Sequence, residues 1–464
     1  MSVAPALALE SIWRDANLPV ASLQQLTLTG ADPALPSSFA VGTAAQASFA
    51  GAALAAAEIG HQRNGLRQQV RVDMRHAALE CCGRFTIAGV EPEVWDKLAG
   101  LYACGSGWVR LHTNFAHHRD GVLRLLGLPT GPGTERPAVA AALARWDAVE
   151  FEDAATRAGL VVAALRSFDE WDAHPQSVAI TAQKLVAIDR IGEASPLHLP
   201  ALPQDSRPLA GVRVLELTRI LAGPFCGRTL AACGADVMLV NAPDLPNIEA
   251  IADTSRGKLS AFCDLRTANG RDGLRSVLRE ADIFVQGYRP GALARLGFAP
   301  DAVAQARPGI VMVSLSAYGE TGPWAGKRGF DSLVQTATGF NHAEALAAGV
   351  AQPRALPMQI LDMASGALMA FGAQAALWRQ QREGGSWHVR VSLARTGWWL
   401  RELGRVANGF KAPATDFAEL METSASGWGE LSAVRPAAEF SHTPAGYARP
   451  AMPPGSHPLT WPAR

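Results

Sequence analysis

No CxxC pair occurs in this 464-residue chain, no GxGxxG loop, and no excess of either charge. Its 42 basic and 42 acidic side chains cancel, so nothing in the overall field draws it to nucleic acid or to an anionic membrane. Any anionic ligand must be held by a local cluster of donors. The six cysteines (Cys81, Cys82, Cys104, Cys226, Cys233 and Cys263) lack zinc-site spacing and read as reduced thiols of a cytoplasmic protein. No metal site is expected. The opening "MSVAPALALESIWRD" carries acids early and lacks the basic-then-apolar order of a signal peptide. The Ala-rich run from Thr43 to Ile59 is interrupted by Gln46 and Glu58, which makes it a buried helix rather than a membrane span.

What is present is an ordinary globular composition, 48% hydrophobic and 18% charged, long enough for two or three domains. Two distant segments, Leu35–Ala77 and Leu356–Thr396, follow one plan. Each opens with Leu-Pro and a short β-prone stretch, continues as a long helix of small residues, and closes with a turn and a strand, Val70–Met74 or Val389–Leu393. Such self-similarity points to a duplicated structural unit. The second copy carries Asp362 in the run "LPMQILDMASGALMAF", whereas the first has Val41-Gly42 at the matching place and no acid nearby. An ionised Asp in such apolar surroundings needs compensation. Capping the helix is one role for it, and acting as a desolvated nucleophile is another.

Between the copies, residues 81 to 200 mix strands and helices, and the Pro-rich stretch from Pro196 to Gly211 reads as a linker. Then "GVRVLELTRILAGPFCGRTLAACGADVMLVNAP" alternates strand, helix and strand, and the pattern repeats to Leu315. Apolar strands alternating with helices imply a parallel sheet covered on both faces. The turn "TRILAGPF" does not suit a dinucleotide, yet its helix start can accept an anion. "HTNFAHHRD" offers His112, His117 and His118 with little acid beside them, a polar surface rather than a metal site. Asp331 in "RGFDSLVQTATGF" reads as a helix cap, and Arg256 and Lys258 in "DTSRGKLS" as a loop pair suited to phosphate.

These blocks, from Pro208 to Leu400, resemble the family III CoA-transferases, the CaiB/BaiF group that includes formyl-CoA transferase. The segments "PLAGVRVLELTRILAGPF", "TSRGKLSAFCDLRTANG" and "SAYGETGPWAGKRGFDSLVQTATG" carry the likeness, and Asp362 matches the family's catalytic Asp. "GWVRLHTNFAHHRDGVLRLLG" and "FDEWDAHPQSVAI" resemble the family's C-terminal half, so the halves look permuted or partly duplicated. The resemblance implies an α/β fold, with an open parallel-sheet, Rossmann-like large domain and a smaller α+β domain. The expected divisions are 1–80 (extension and acid-free copy), 81–207 (small domain and linker), 208–410 (catalytic domain) and 411–464 (a tail without its own core). It also implies transfer of CoA from an acyl-CoA to a small carboxylic acid through an aspartyl mixed anhydride and an aspartyl-CoA thioester. No permanently bound cofactor is implied, since coenzyme A is part of the substrate, and a homodimer is. Ile220 and Arg295 match CoA-contacting positions, while Gly287, Ala242, Ser316 and Asn241 depart from the family's usual residues. Arg256, Lys258 and Arg289 are the expected compensating cations. An α-methylacyl-CoA racemase would need a histidine where Phe330 stands. A diverged CoA-binding protein without activity is the third reading.

Overall fold

The computed structural model describes residues 2–463. Its centre is a seven-stranded sheet built from β1 (Ala187–Gly192), β2 (Arg213–Leu217), β3 (Asp236–Asn241), β4 (Lys258–Phe262), β5 (Ile283–Gln286), β6 (Val311–Ser316) and β7 (Ser386–Ser392). The spatial order is β4-β3-β2-β5-β6-β7-β1. All neighbours are parallel except β1, which runs antiparallel along the β7 edge. The buried strands are runs of Val, Leu, Ile and Met because helices cover both faces. The chain winds outward in opposite directions from β2, so a crevice opens between the C-terminal ends of β2 and β5.

Two long helices lie beside each other: α1 (Val41–Asn64) and, late in the chain, α4 (Ile360–Glu383), each of 24 residues. By length and composition alone α4 could cross a membrane, but every residue of that apolar stretch is buried inside the protein. Apolar on all sides, it is a core helix. Its small residues permit close crossing with α2 (Ala222–Ala232): a Cβ added at Gly366 would sit 2.4 Å from the Ala222 carbonyl oxygen. That contact, one helical turn beyond Asp362, draws the turn after β2 up to the first turn of α4.

The duplicated plan extends further than the two helices. Each is followed by a strand and then at once by another helix: Val70–Asp73 leads into Met74–Glu80 capped by Asp73, and β7 into Leu393–Glu402 capped by Ser392. Counted from the helix starts, the partner of Asp362 is Thr43, not the Val41-Gly42 pair expected from the sequence. Nor is an acid lacking nearby. Asp32 accepts hydrogen bonds from the Gly42 and Thr43 amides, at 3.1 and 3.0 Å, and from the Thr43 hydroxyl at 2.8 Å. A Cβ at Gly42 would lie 2.4 Å from the Asp32 carboxylate, which explains the glycine there.

A smaller unit stands over the C-terminal edge of the sheet. Its antiparallel strands Gly100–Ala103, Trp108–Leu111 and Val162–Ala164 pack against helices Ala116–Leu125, Arg136–Leu143 and Ala148–Arg157. Val109, Leu123, Leu143 and Phe151 form its core. The residues after 411 are more ordered than a surface wrap. Met421–Ser426 and Gly429–Val434 make a hairpin that pairs with Phe85–Ile87, and Ala438–Phe440 pairs with Val70–Val72. Leu431 and Ala433 share a small core with Phe85 and Ala252. The strand β1 likewise serves the large sheet, although it falls within residues 81–207.

Candidate active site

The side chain of Asp362 lies where two cavities meet. It is the third residue of α4, 6% exposed, and it lines a cavity of about 440 Å³ on one side and one of about 240 Å³ on the other. The cap of α4 comes from elsewhere: Asp331, at the start of α3 (Asp331–Ala337), accepts the Asp362 amide at 2.9 Å. Asp331 therefore caps α4 rather than its own helix, as Asp32 caps α1. The Asp362 carboxylate is relieved of that task and faces the cavities. Burial pushes its pKa well up, and the neighbouring Asp331 pushes it further. Asp331 is itself raised by burial, against the amides and the Gln335 side chain that favour its charge. Two buried carboxylates this close titrate as a pair, and one of them readily keeps a proton.

The larger cavity occupies the crevice between β2 and β5. Arg219, Ile220 and Leu221 come from the turn after β2, and Gly287, Tyr288 and Arg289 from the end of β5. Arg328 reaches it from the loop before α3, and Phe115, His117 and His118 from the small unit. Arg219 touches the Pro246 carbonyl and lies over the Phe115 ring; Arg328 donates to the Gly159 carbonyl at 2.8 Å. Among the described residues Arg219, Arg289 and Arg328 form no ion pair with a carboxylate, so three guanidinium groups face this cavity with charge to spare. Burial lowers the pKa of Arg219 and Arg328, and Arg289 lowers that of Arg328 further. An anion in the cavity would relieve both effects. The start of α2, with no side-chain cap, adds its free amides.

Ile220 lines both cavities with φ at +79°. A β-branched residue in the left-handed region is strained by about 1–3 kcal/mol, and such strain collects at functional sites. A third cavity, about 270 Å³, continues past Leu245, Tyr288 and Ala292, which it shares with the larger one. The three form a chain of spaces running from behind Asp362 to the ends of β3 and β4.

Two of the expected cations are placed elsewhere. Lys258 is fully buried and paired with Glu216 at 2.8 Å, donating also to the Pro224 carbonyl. Arg256 binds Asp253 at 2.6 Å, Glu422 at 2.8 Å and the Val434 carbonyl at 2.9 Å. Both are committed to holding the fold and neither lines a cavity with Asp362. Arg295 is exposed on a short helical turn after β5, outside the lining of the crevice. Ile220 and Arg289 do line it. Phe340 packs against Phe39 and Phe168 and lines neither cavity, so its amide and that of Gly339 are not placed to hold an oxyanion there. Arg219 and Arg328 were not singled out from the sequence. The signal for Arg219 is its place, two residues past the end of β2, where parallel sheets hold ligands.

The three histidines gather between the two units. His112 stacks on Phe330, centroids 3.9 Å apart, and lines the smaller cavity. Burial pushes its pKa down to about 3 and that of His118 to about 4, so both are neutral at ordinary pH.

Residues 209–404 match the family model of CoA-transferase family III. An acyl-CoA transferase of Gibberella moniliformis is 29% identical over 70% of this chain and 64% of its own length. A succinate–glutarate CoA-transferase of Agrobacterium fabrum is 32% identical over 41% of this chain and 52% of its own. The crystal structure of a CAIB/BAIF family protein from Brucella suis aligns with 25% identity and a TM-score of 0.38, covering 48% of this chain and 65% of that one. The chain spans about a third to two thirds of the length of the curated relatives it matches. Over residues 209–404, the stretch that carries Asp362, Arg219, Arg289 and Arg328, the chain is similar to CoA-transferase family III.

Proposed function

We propose that the protein is an acyl-CoA:carboxylate CoA-transferase with Asp362 as its nucleophile. The observation that carries this is a desolvated carboxylate at the junction of an elongated cleft whose middle section holds three unpaired guanidinium groups. CoA is long and polyanionic. Its phosphates suit Arg219, Arg289 and Arg328, and its thioester end suits the narrow junction at Asp362. Coenzyme A enters as part of the substrate, and the chemistry requires no resident cofactor.

In the proposed reaction an Asp362 oxygen attacks the thioester carbonyl, the C–S bond breaks and CoA leaves as thiolate. The thiolate then attacks the Asp362 carbonyl carbon of the mixed anhydride and expels the first acid as carboxylate, leaving an aspartyl-CoA thioester. A second carboxylate attacks this thioester, and the same two steps run in reverse. Each step exchanges one acyl bond for another, so no oxidant or external proton donor is consumed. Water must be kept out while the anhydride exists, which the burial of Asp362 favours. The proposed setting is the cytoplasm, in keeping with six thiols that are all free. Assembly as a homodimer is proposed from the family resemblance.

Incubation with a panel of acyl-CoAs, then peptide mass spectrometry, tests the reading directly. A CoA or acyl adduct on the Asp362 peptide is expected. A folded, CoA-binding protein that acquires none would speak for the inactive alternative.

The carboxylate pair also sets a pH dependence. Below its raised pKa Asp362 is protonated and cannot attack, so kcat/KM should appear as pH rises through that value. Asp331→Asn removes the negative neighbour while keeping an acceptor for the helix amide. Asp362 then loses its proton more easily, and the acid limb should move to lower pH. An unmoved limb in a folded variant would show that the pair is not coupled during turnover.

A further inference from the structure

The two cavities that meet at Asp362 are unlike. Three guanidinium groups face the larger cavity, but no lysine or arginine lines the smaller one behind Asp362. Its walls are Val94, Trp95, Ile248, Phe330, Met358 and Met363, and its single charged lining group is Asp362 itself. The guanidinium of Arg110 lies outside this lining, over the Trp95 ring at 5.5 Å, and interacts with Asp331.

We infer that the smaller cavity receives the acyl half of the thioester, and that this half is uncharged, largely apolar and short. The inference rests on the transferase reading of the same site. Thiolate and phosphates extend into the cationic cavity, so the carbon chain on the other side of the attacked carbonyl must enter the apolar one. At about 240 Å³ the space lies below the roughly 300–1,000 Å³ of ordinary small-molecule sites. A second carboxylate on the acyl chain would be stripped of water beside Asp362 with no cation to meet it. A neutral polar atom is tolerated, because Asn114 and Gln359, uncharged hydrogen-bonding side chains, also line this cavity.

Thioether analogues test this apart from turnover, because Asp362 cannot break a C–S bond that carries no carbonyl. Calorimetric titration of the wild-type protein with S-butyl-CoA and with S-(3-carboxypropyl)-CoA should show the butyl compound binding about 100-fold more tightly or better. Val94→Arg places a cation at the half-exposed rim of the cavity and should narrow that ratio at least tenfold. Equal or tighter binding of the carboxypropyl compound would overturn the inference and move acyl recognition to Arg110. Butyl-CoA binding no better than free CoA would also overturn it. Selective butyl-CoA binding without any thioester exchange would uphold the pocket and overturn the transferase reading alone. Failure to bind CoA in any form would overturn both.

Discussion

Asp362→Ala is expected to reduce thioester exchange by about 10⁴-fold or more, the scale seen when a covalent nucleophile is removed. The loss should fall on kcat, because the guanidinium groups that line the larger cavity are untouched. The same substitution should not destabilise the protein. If Asp362 were the cap of α4, its removal would cost about 1 kcal/mol; here the cap is Asp331. Removing a buried carboxylate whose charge is opposed by burial and by a like neighbour should raise the thermal midpoint slightly, most visibly above neutral pH. Full exchange activity in the folded variant would end the nucleophile assignment. A lowered midpoint would show that the side chain supports the helix after all.

Lys258→Met should be the most damaging single substitution for the fold. It leaves Glu216, which is fully buried, without its cation, and breaking such a pair from one side costs about 3–5 kcal/mol. Glu216 still receives the Thr218 hydroxyl, which is too little to hold a charge there. Burial raises its pKa and its cation opposes that rise, so in the variant it should take up a proton on folding. By linkage the unfolding midpoint in denaturant should then fall further as pH increases. The double variant Glu216→Gln/Lys258→Met removes both charges and should recover most of the loss. A single variant as stable as wild type would return Lys258 to the candidates for ligand contact.

Those two residues also show where sequence reading reaches its limit. The alternation of apolar strands and helices from Gly211 onward was legible because each strand is buried on both faces and carries that burial in its composition. Asp362 was legible because one carboxylate among small apolar residues is chemically conspicuous. Charge, by contrast, is visible in a sequence, and burial of charge is not. "DTSRGKLS" looks like a phosphate loop until Glu216 and Glu422 arrive from elsewhere in the chain, and its own Asp253 turns onto Arg256, to neutralise it. The cap of α1 was missed for a related reason: Asp32 stands ten residues before the amide it accepts, far beyond the range of a local capping pattern. The residues after 411 looked structureless because their hairpin is largely exposed and polar, and because two of their three strands complete their pairing with residues 70–87, far away in the chain.

That last pairing has a consequence for synthesis on the ribosome. Glu80 accepts the amide of Ala437, 357 residues later, and the strand Val70–Asp73 waits for Ala438–Phe440 to cover its edge. Throughout translation of the intervening chain, the N-terminal segment therefore carries an open strand edge and an incompletely neutralised Glu80. The edge of that strand stays open to other chains until residues 438–440 have been made, and that interval is when aggregation through it is the hazard.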